Sequence, residues 1–162
     1  MNGRWSGYVN PFETACVLYA AAAKAGSNEE TNNGVTTEMG YDVHITRKEN
    51  WFDDGPEISL DEWKSFIEKD DEMRLDGYAE AKLPNGAALR VDSDGLAVWT
   101  AYSGSTAGGN MAWFDFRSGN VVVKNPDVSI LSKMWQIAQK LGARVQGDDC
   151  EIYGSDGSIV AT

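Results

Sequence analysis

Apolar and polar positions along this chain change period several times, and each change marks an element. Over 41–47 the run YDVHITR alternates, with Tyr41, Val43 and Ile45 on one face and Asp42, His44 and Thr46 on the other. A period of two is the pattern of a half-buried strand. Beyond the loop NWFDDGPE, Leu60, Trp63, Phe66 and Ile67 recur at helical spacing and predict a short amphipathic helix running to Lys69. Ser59 and Glu62 fit a capping box at its start, and Ile58 is placed to staple against Trp63. The acidic run Asp70, Asp71, Glu72 ends it.

Strand-like runs over 78–102 are broken by two turn signals, Pro84-Asn85-Gly86 and Ser93-Asp94-Gly95, which together predict a meander. A Gly/Ser loop over 103–110 leads into MAWFDFR, a turn at Ser118-Gly119-Asn120 and VVVKN, a second hairpin. Pro126 fits the first helical position behind Asn125, and Ile130, Met134, Ile137, Ala138 and Leu141 make an apolar stripe stopped by Gly142. Short strands over 143–146 and 151–153, joined through Gly147-Asp148-Asp149, complete the pattern, and residues 155–162 read as a fraying tail. These elements predict an α+β fold: a mostly antiparallel sheet of meander and hairpins packed by two amphipathic helices, in a single domain over 39–154.

The first 38 residues read differently. Residues 13–25, ETACVLYAAAAKA, have high helix propensity, and the polar GSNEETNNGVTTE after them is linker-like. The stretch is expected to be an extension ahead of a natural start at Met39. A secretory signal is the alternative, but Glu13 interrupts its approach and Arg4 is its one basic residue before the apolar stretch.

Charge adds a direction. The 162 residues carry 25 acidic and 14 basic side chains, a net charge of −11, and 21 of the acids follow Glu38. A surface of that sign repels nucleic acid and anionic lipid and speeds encounter with a basic protein. No apolar run approaches the roughly 20 residues of a membrane span. Cys16 and Cys150 form no metal or disulfide pattern, so reduced thiols in a cytoplasm are expected, with neither cofactor nor metal.

His44 is the one histidine, so histidine chemistry must run through it, with Asp42 two residues away on the same strand face as the nearest carboxylate. No GxSxG or HExxH motif accompanies it, which leaves a small hydrolase or lyase as the alternative reading and a structural or regulatory module as a third. Asp92-Ser93-Asp94-Gly95 lacks the later ligands of a calcium loop and reads as a turn. In MAWFDFR, Ala112, Phe114 and Phe116 alternate with Met111 and Trp113, so Trp113 points away from the core face. That second face is expected to be covered by a helix; where it is open instead, Trp51, Trp99 or Trp113 rimmed by carboxylates would form a protein-binding surface.

The segments YDVHITRKENW, ISLDEW, WFDFRSGNVVVKNP and LGARVQGDDCEIY resemble a group of short acidic bacterial proteins of uncharacterised function. In architecture and charge the domain is also similar to the immunity proteins that bacteria pair with secreted toxins. That likeness implies a binding protein that neutralises a basic partner. Asp53, Asp54, Asp70, Asp71, Asp148 and Asp149 would supply the charge, and Trp51 and Trp113 the anchors.

Overall fold

The computed structural model describes residues 40–82, 85–105 and 111–162. Along them run β1 (Asp42–Thr46), α1 (Leu60–Ile67), β2 (Met73–Leu75), β3 (Tyr78–Lys82), β4 (Ala88–Asp92), β5 (Ala97–Trp99), β6 (Ala112–Arg117), β7 (Asn120–Lys124), α2 (Val128–Lys140), β8 (Arg144–Gly147), β9 (Ile152–Tyr153) and β10 (Ile159–Ala161). Eight strands form one sheet in the order β10-β9-β8-β1-β7-β6-β5-β2, and β3 pairs with β4 separately. Every pairing among the described residues is antiparallel. The α+β fold expected from the sequence is the one observed. The extension expected over 1–38, with its helix at 13–25, lies outside the described residues.

The first strand of the chain stands in the middle of the sheet, between β7 and β8. Its Val43 and Ile45 join Phe114, Val121, Val123 and Val145 in one apolar cluster with Trp63 and Ile67 of α1 and Ile130, Met134, Ile137 and Ala138 of α2. Both helices therefore cover this face. Met134 and Ile137 are almost wholly enclosed, and each contributes about 2 kcal/mol by leaving water. Trp63 is fully buried, and its indole N–H donates to Gly95 O at 2.8 Å, so its polar atom is satisfied as well.

The caps follow local chemistry. Ser59 accepts from Glu62 N at 3.1 Å, as the capping box predicts. The Glu62 carboxylate departs from the box and pairs with Arg47 instead. At α2 the expectation needs correction: Asp127 is the N-cap, accepting from Ile130 N at 2.9 Å, and Pro126 precedes it. Asp's short carboxylate reaches the free amide, and Pro126 restricts the backbone before it. Gly142 follows the last turn at φ +60°, the left-handed conformation that ends many helices.

Three further features differ from the pattern read in the sequence. Ser93-Asp94-Gly95 does not close a β4–β5 hairpin: among the described residues β4 pairs with β3, and β5 lies between β2 and β6. Among the described residues β3 and β4 form a two-stranded sheet of their own, with the Arg90 guanidinium 3.9 Å over the Tyr78 ring. β2 is an added strand, three residues long, hidden in the sequence behind the acidic run. The residues expected as a fraying tail turn back, with Gly154 N donating to Ser158 O at 2.8 Å, and pair as β10 with β9.

Candidate functional site

The sheet face turned away from the helices carries Asp42, His44 and Thr46. Across it, His44 stands opposite Gln146 of β8 and Val122 of β7, and Val122 stands opposite Asp115 of β6. Alternation alone marks such residues as solvent-facing. Yet His44 is 4% exposed, Gln146 2%, and Thr46, Asp115 and Asn120 are also buried. Among the described residues both helices pack on the opposite face, and the loop 47–57 is folded back onto this row.

Trp51 fastens that loop. Its backbone N–H donates to Gln146 Oε1 at 2.8 Å, and its carbonyl accepts from Asn120 Nδ2 at 2.9 Å. Its indole stacks on the His44 imidazole, with centroids 4.1 Å apart and planes 2° from parallel. Gln146 Nε2 also donates to Glu49 O at 3.5 Å and to Cys150 O at 3.3 Å, tying the loop to the β8–β9 turn. Further along, Lys48 Nζ meets Ser118 O and Glu57 Oε1, each at 3.2 Å, and Ile58 N donates to Gly119 O at 3.0 Å. Ser118 and Gly119 hold φ values of +47° and +77°, the left-handed pair of a two-residue hairpin turn. A Cβ on Gly119 would lie 2.5 Å from the Glu57 side chain, so the close approach of the loop also requires glycine there.

The histidine's carboxylate partner is Asp148, not Asp42. His44 Nε2 lies 3.0 Å from Asp148 Oδ1, and Asp148 Oδ2 accepts from Asp42 N at 2.9 Å. The Asp42 carboxylate instead faces Arg117, at 3.6 Å. An ionised carboxylate only accepts, so in the neutral ring the proton is assigned to Nε2 and the lone pair to Nδ1. Burial pushes the His44 pKa below its ordinary 6.5, against the opposing pull of Asp148 and Asp42. Burial also raises Asp42, against Arg117 and Lys124, which lower it. His44 Nδ1, Trp51 Nε1 and Asp42 Oδ1 are buried without a hydrogen-bond partner among the described residues. The pair has the composition of an acid–base dyad, but its one free ring nitrogen is enclosed. Among the described residues no group of three or more His, Cys, Asp or Glu is arranged to hold a metal.

The other candidate residues divide. Trp51 is half-buried, and Phe52, which the sequence reading passed over, is 60% exposed and stands edge-on to it at 5.3 Å. Asp53 accepts from Asn50 Nδ2 at 2.7 Å, while Asp54 and Asp149 are exposed. Asp53 and Asp54 sit on the Trp51 loop, and Asp148 and Asp149 on the turn bonded to it. Asp70 and Asp71 belong elsewhere, between α1 and β2. The Asp70 side chain is 9% exposed and pairs with Lys133 of α2 at 3.1 Å, and Lys133 also meets Glu72 at 2.8 Å. Trp99 lies beside them, donating from Nε1 to Glu72 at 3.3 Å. Asp70 is thus a packing residue, and Asp71 is exposed beside it. Trp113 is half-buried on the His44 face but opposite Val98 of β5, away from the loop.

Comparison with protein-family models, with curated proteins and with solved structures finds no match. No helix among the described residues is long and apolar enough to cross a membrane.

Proposed function

We propose that this protein binds a basic protein partner through the Trp51–Phe52 loop and the adjoining Asp148–Asp149 turn. The observation that supports this reading is the fastening of Trp51: two buried side-chain amides hold its N–H and its carbonyl, while the next residue, Phe52, projects into solvent beside Asp53 and Asp54. An exposed aromatic on a fixed loop loses little conformational freedom when it is covered, and such residues dominate interface affinity. The surrounding carboxylates steer a Lys/Arg-rich surface toward it. The likeness to immunity proteins makes a secreted toxin the partner class this reading names. An acid–base role for His44 is the poorer fit, because Nδ1 would have to meet a substrate and is enclosed.

The test immobilises the full chain, F52A and the double variant D54K/D149K, and passes lysate of the source organism over each at rising salt. Expected is a basic protein held by the unaltered chain, lost as salt rises and held poorly by both variants. A protein retained equally by all three would sink the reading.

A further inference from the structure

The fastened loop rests on an ionisable group. His44 supplies the flat surface beneath the Trp51 indole, and its neutral form uses its one N–H on Asp148. We propose that His44 is a proton-operated latch, holding the Trp51–Phe52 loop against the sheet while the imidazole is neutral and releasing it when the ring takes a second proton. This rests on the binding role of that loop, which the latch would switch off in acid.

The geometry gives the direction. A second proton goes to Nδ1, a buried atom with no acceptor in reach among the described residues. An unsatisfied buried N–H is costly, and a full charge shielded from water adds to that cost. The charged groups facing His44 come from several elements: Asp148 from the β8–β9 turn, Asp42 from its own strand and Arg117 from β6. Lys124 of β7 acts on Asp42, and Asp115 of β6 lies one strand further along the row and is itself paired with Arg117 at 2.6 Å. The immediate cross-strand neighbours, Val122 and Gln146, are uncharged. Burial is the largest influence of all and disfavours the imidazolium; Asp148 and Asp42 favour it, and Arg117 opposes it.

The least disruptive relief is local. The indole forms the cover over the ring, and the loop's direct attachment there consists of the stack, the two backbone hydrogen bonds of Trp51 and the long bond from Gln146 to Glu49 O. Lifting Trp51 admits water to Nδ1 and leaves the helical face of the sheet untouched. The cost of opening is that of a loop, not of the domain.

A single histidine makes the experiment clean. The isotope-labelled full chain, without any partner, is titrated by NMR from about pH 8 to about pH 5. The His44 ring signals are followed together with hydrogen exchange at the Trp51 amide and indole N–H, corrected for intrinsic exchange. Expected is a rise in Trp51 opening of about tenfold or more in step with His44 protonation, with the Val121 and Ile45 amides unchanged and the rise absent in H44Q. Titration of His44 without any change at Trp51 would overturn the latch, as would the same rise in H44Q. The comparison of Trp51 with Val121 in the unaltered chain decides the matter even where H44Q does not fold. Because no partner is present, failure here leaves the binding reading standing, and loss of binding in F52A is read separately at neutral pH.

Discussion

At the scale of single residues, the decisive groups are amides and an imidazole on a sheet face that alternation marks as wet. Gln146 illustrates the consequence. Its side chain serves Trp51 N, Glu49 O and Cys150 O from a position 2% exposed, so Gln146→Ala strands three backbone groups. The expected loss is about 2–3 kcal/mol, measured as a lowered denaturation midpoint with an unchanged slope. A change under about 0.5 kcal/mol would show that the loop is not held in this way. His44 adds a pH dependence whose sign follows from its lowered pKa. The folded state binds this proton less readily than the unfolded chain does. The stabilising contribution is therefore complete above the ordinary value of 6.5 and is lost as pH falls through it toward the lower folded value. Urea midpoints measured across that range should fall more steeply in the unaltered chain than in H44Q. None of this pairing was legible beforehand: Asp148 lies 104 residues from His44, and Asp42, the carboxylate close in sequence, proved to face Arg117. Local spacing placed the histidine correctly on its strand and could not show which distant turn the fold would bring to it.

Elements were more legible than contacts, because their causes are local. Ser59, the stripe of α1 and the left-handed stop at Gly142 are all local signals, and all appear in the structure. Asp127 was missed because Pro126, a strong helix-start residue, stands immediately before it; the two signals compete, and the hydrogen bond to Ile130 N decides for Asp127. Asp127 also accepts from the Tyr102 hydroxyl at 2.6 Å, and that bond raises the pKa of Tyr102. Two partners on one carboxylate set the expectation for D127A: a loss of about 1–2 kcal/mol, against a smaller loss in D127N, whose amide oxygen still caps the helix. Thermal unfolding of the two variants checks it, and equal losses would mean that the charge, not the cap, matters. The strands that were missed, β2 and β10, are short and carry few apolar residues inward. Their signal is their neighbours, Val98 of β5 opposite Arg74 and Tyr153 of β9 opposite Ile159, which sequence order does not reveal.

For the whole molecule, the question is whether a net charge of −11 acts as a diffuse field or through its placement. The fold separates acids that the sequence treats alike. Asp54 and Asp149 lie on or against the Trp51 loop, whereas Glu68 and Asp71 flank the Lys133 network and Asp70 within that network is paired. Charges beyond about 8 Å are largely screened at physiological ionic strength. Two variants with the same net charge therefore separate the possibilities: D54K/D149K alters the loop, and E68K/D71K alters the α1–β2 turn. With the protein retained by the unaltered chain as partner, D54K/D149K should lower the association rate by about tenfold at low salt. E68K/D71K should lower it less, and its deficit should vanish first as salt is raised. Dissociation is set by contact, so F52A should speed it by at least about tenfold while leaving the salt dependence of association in place. Equal effects of the two charge variants at every salt concentration would assign the acidity to a general field and remove the loop's carboxylates from the interface. A larger effect at the loop, joined to faster dissociation in F52A, would place steering and anchoring on the one segment that Gln146 and Asn120 hold in position.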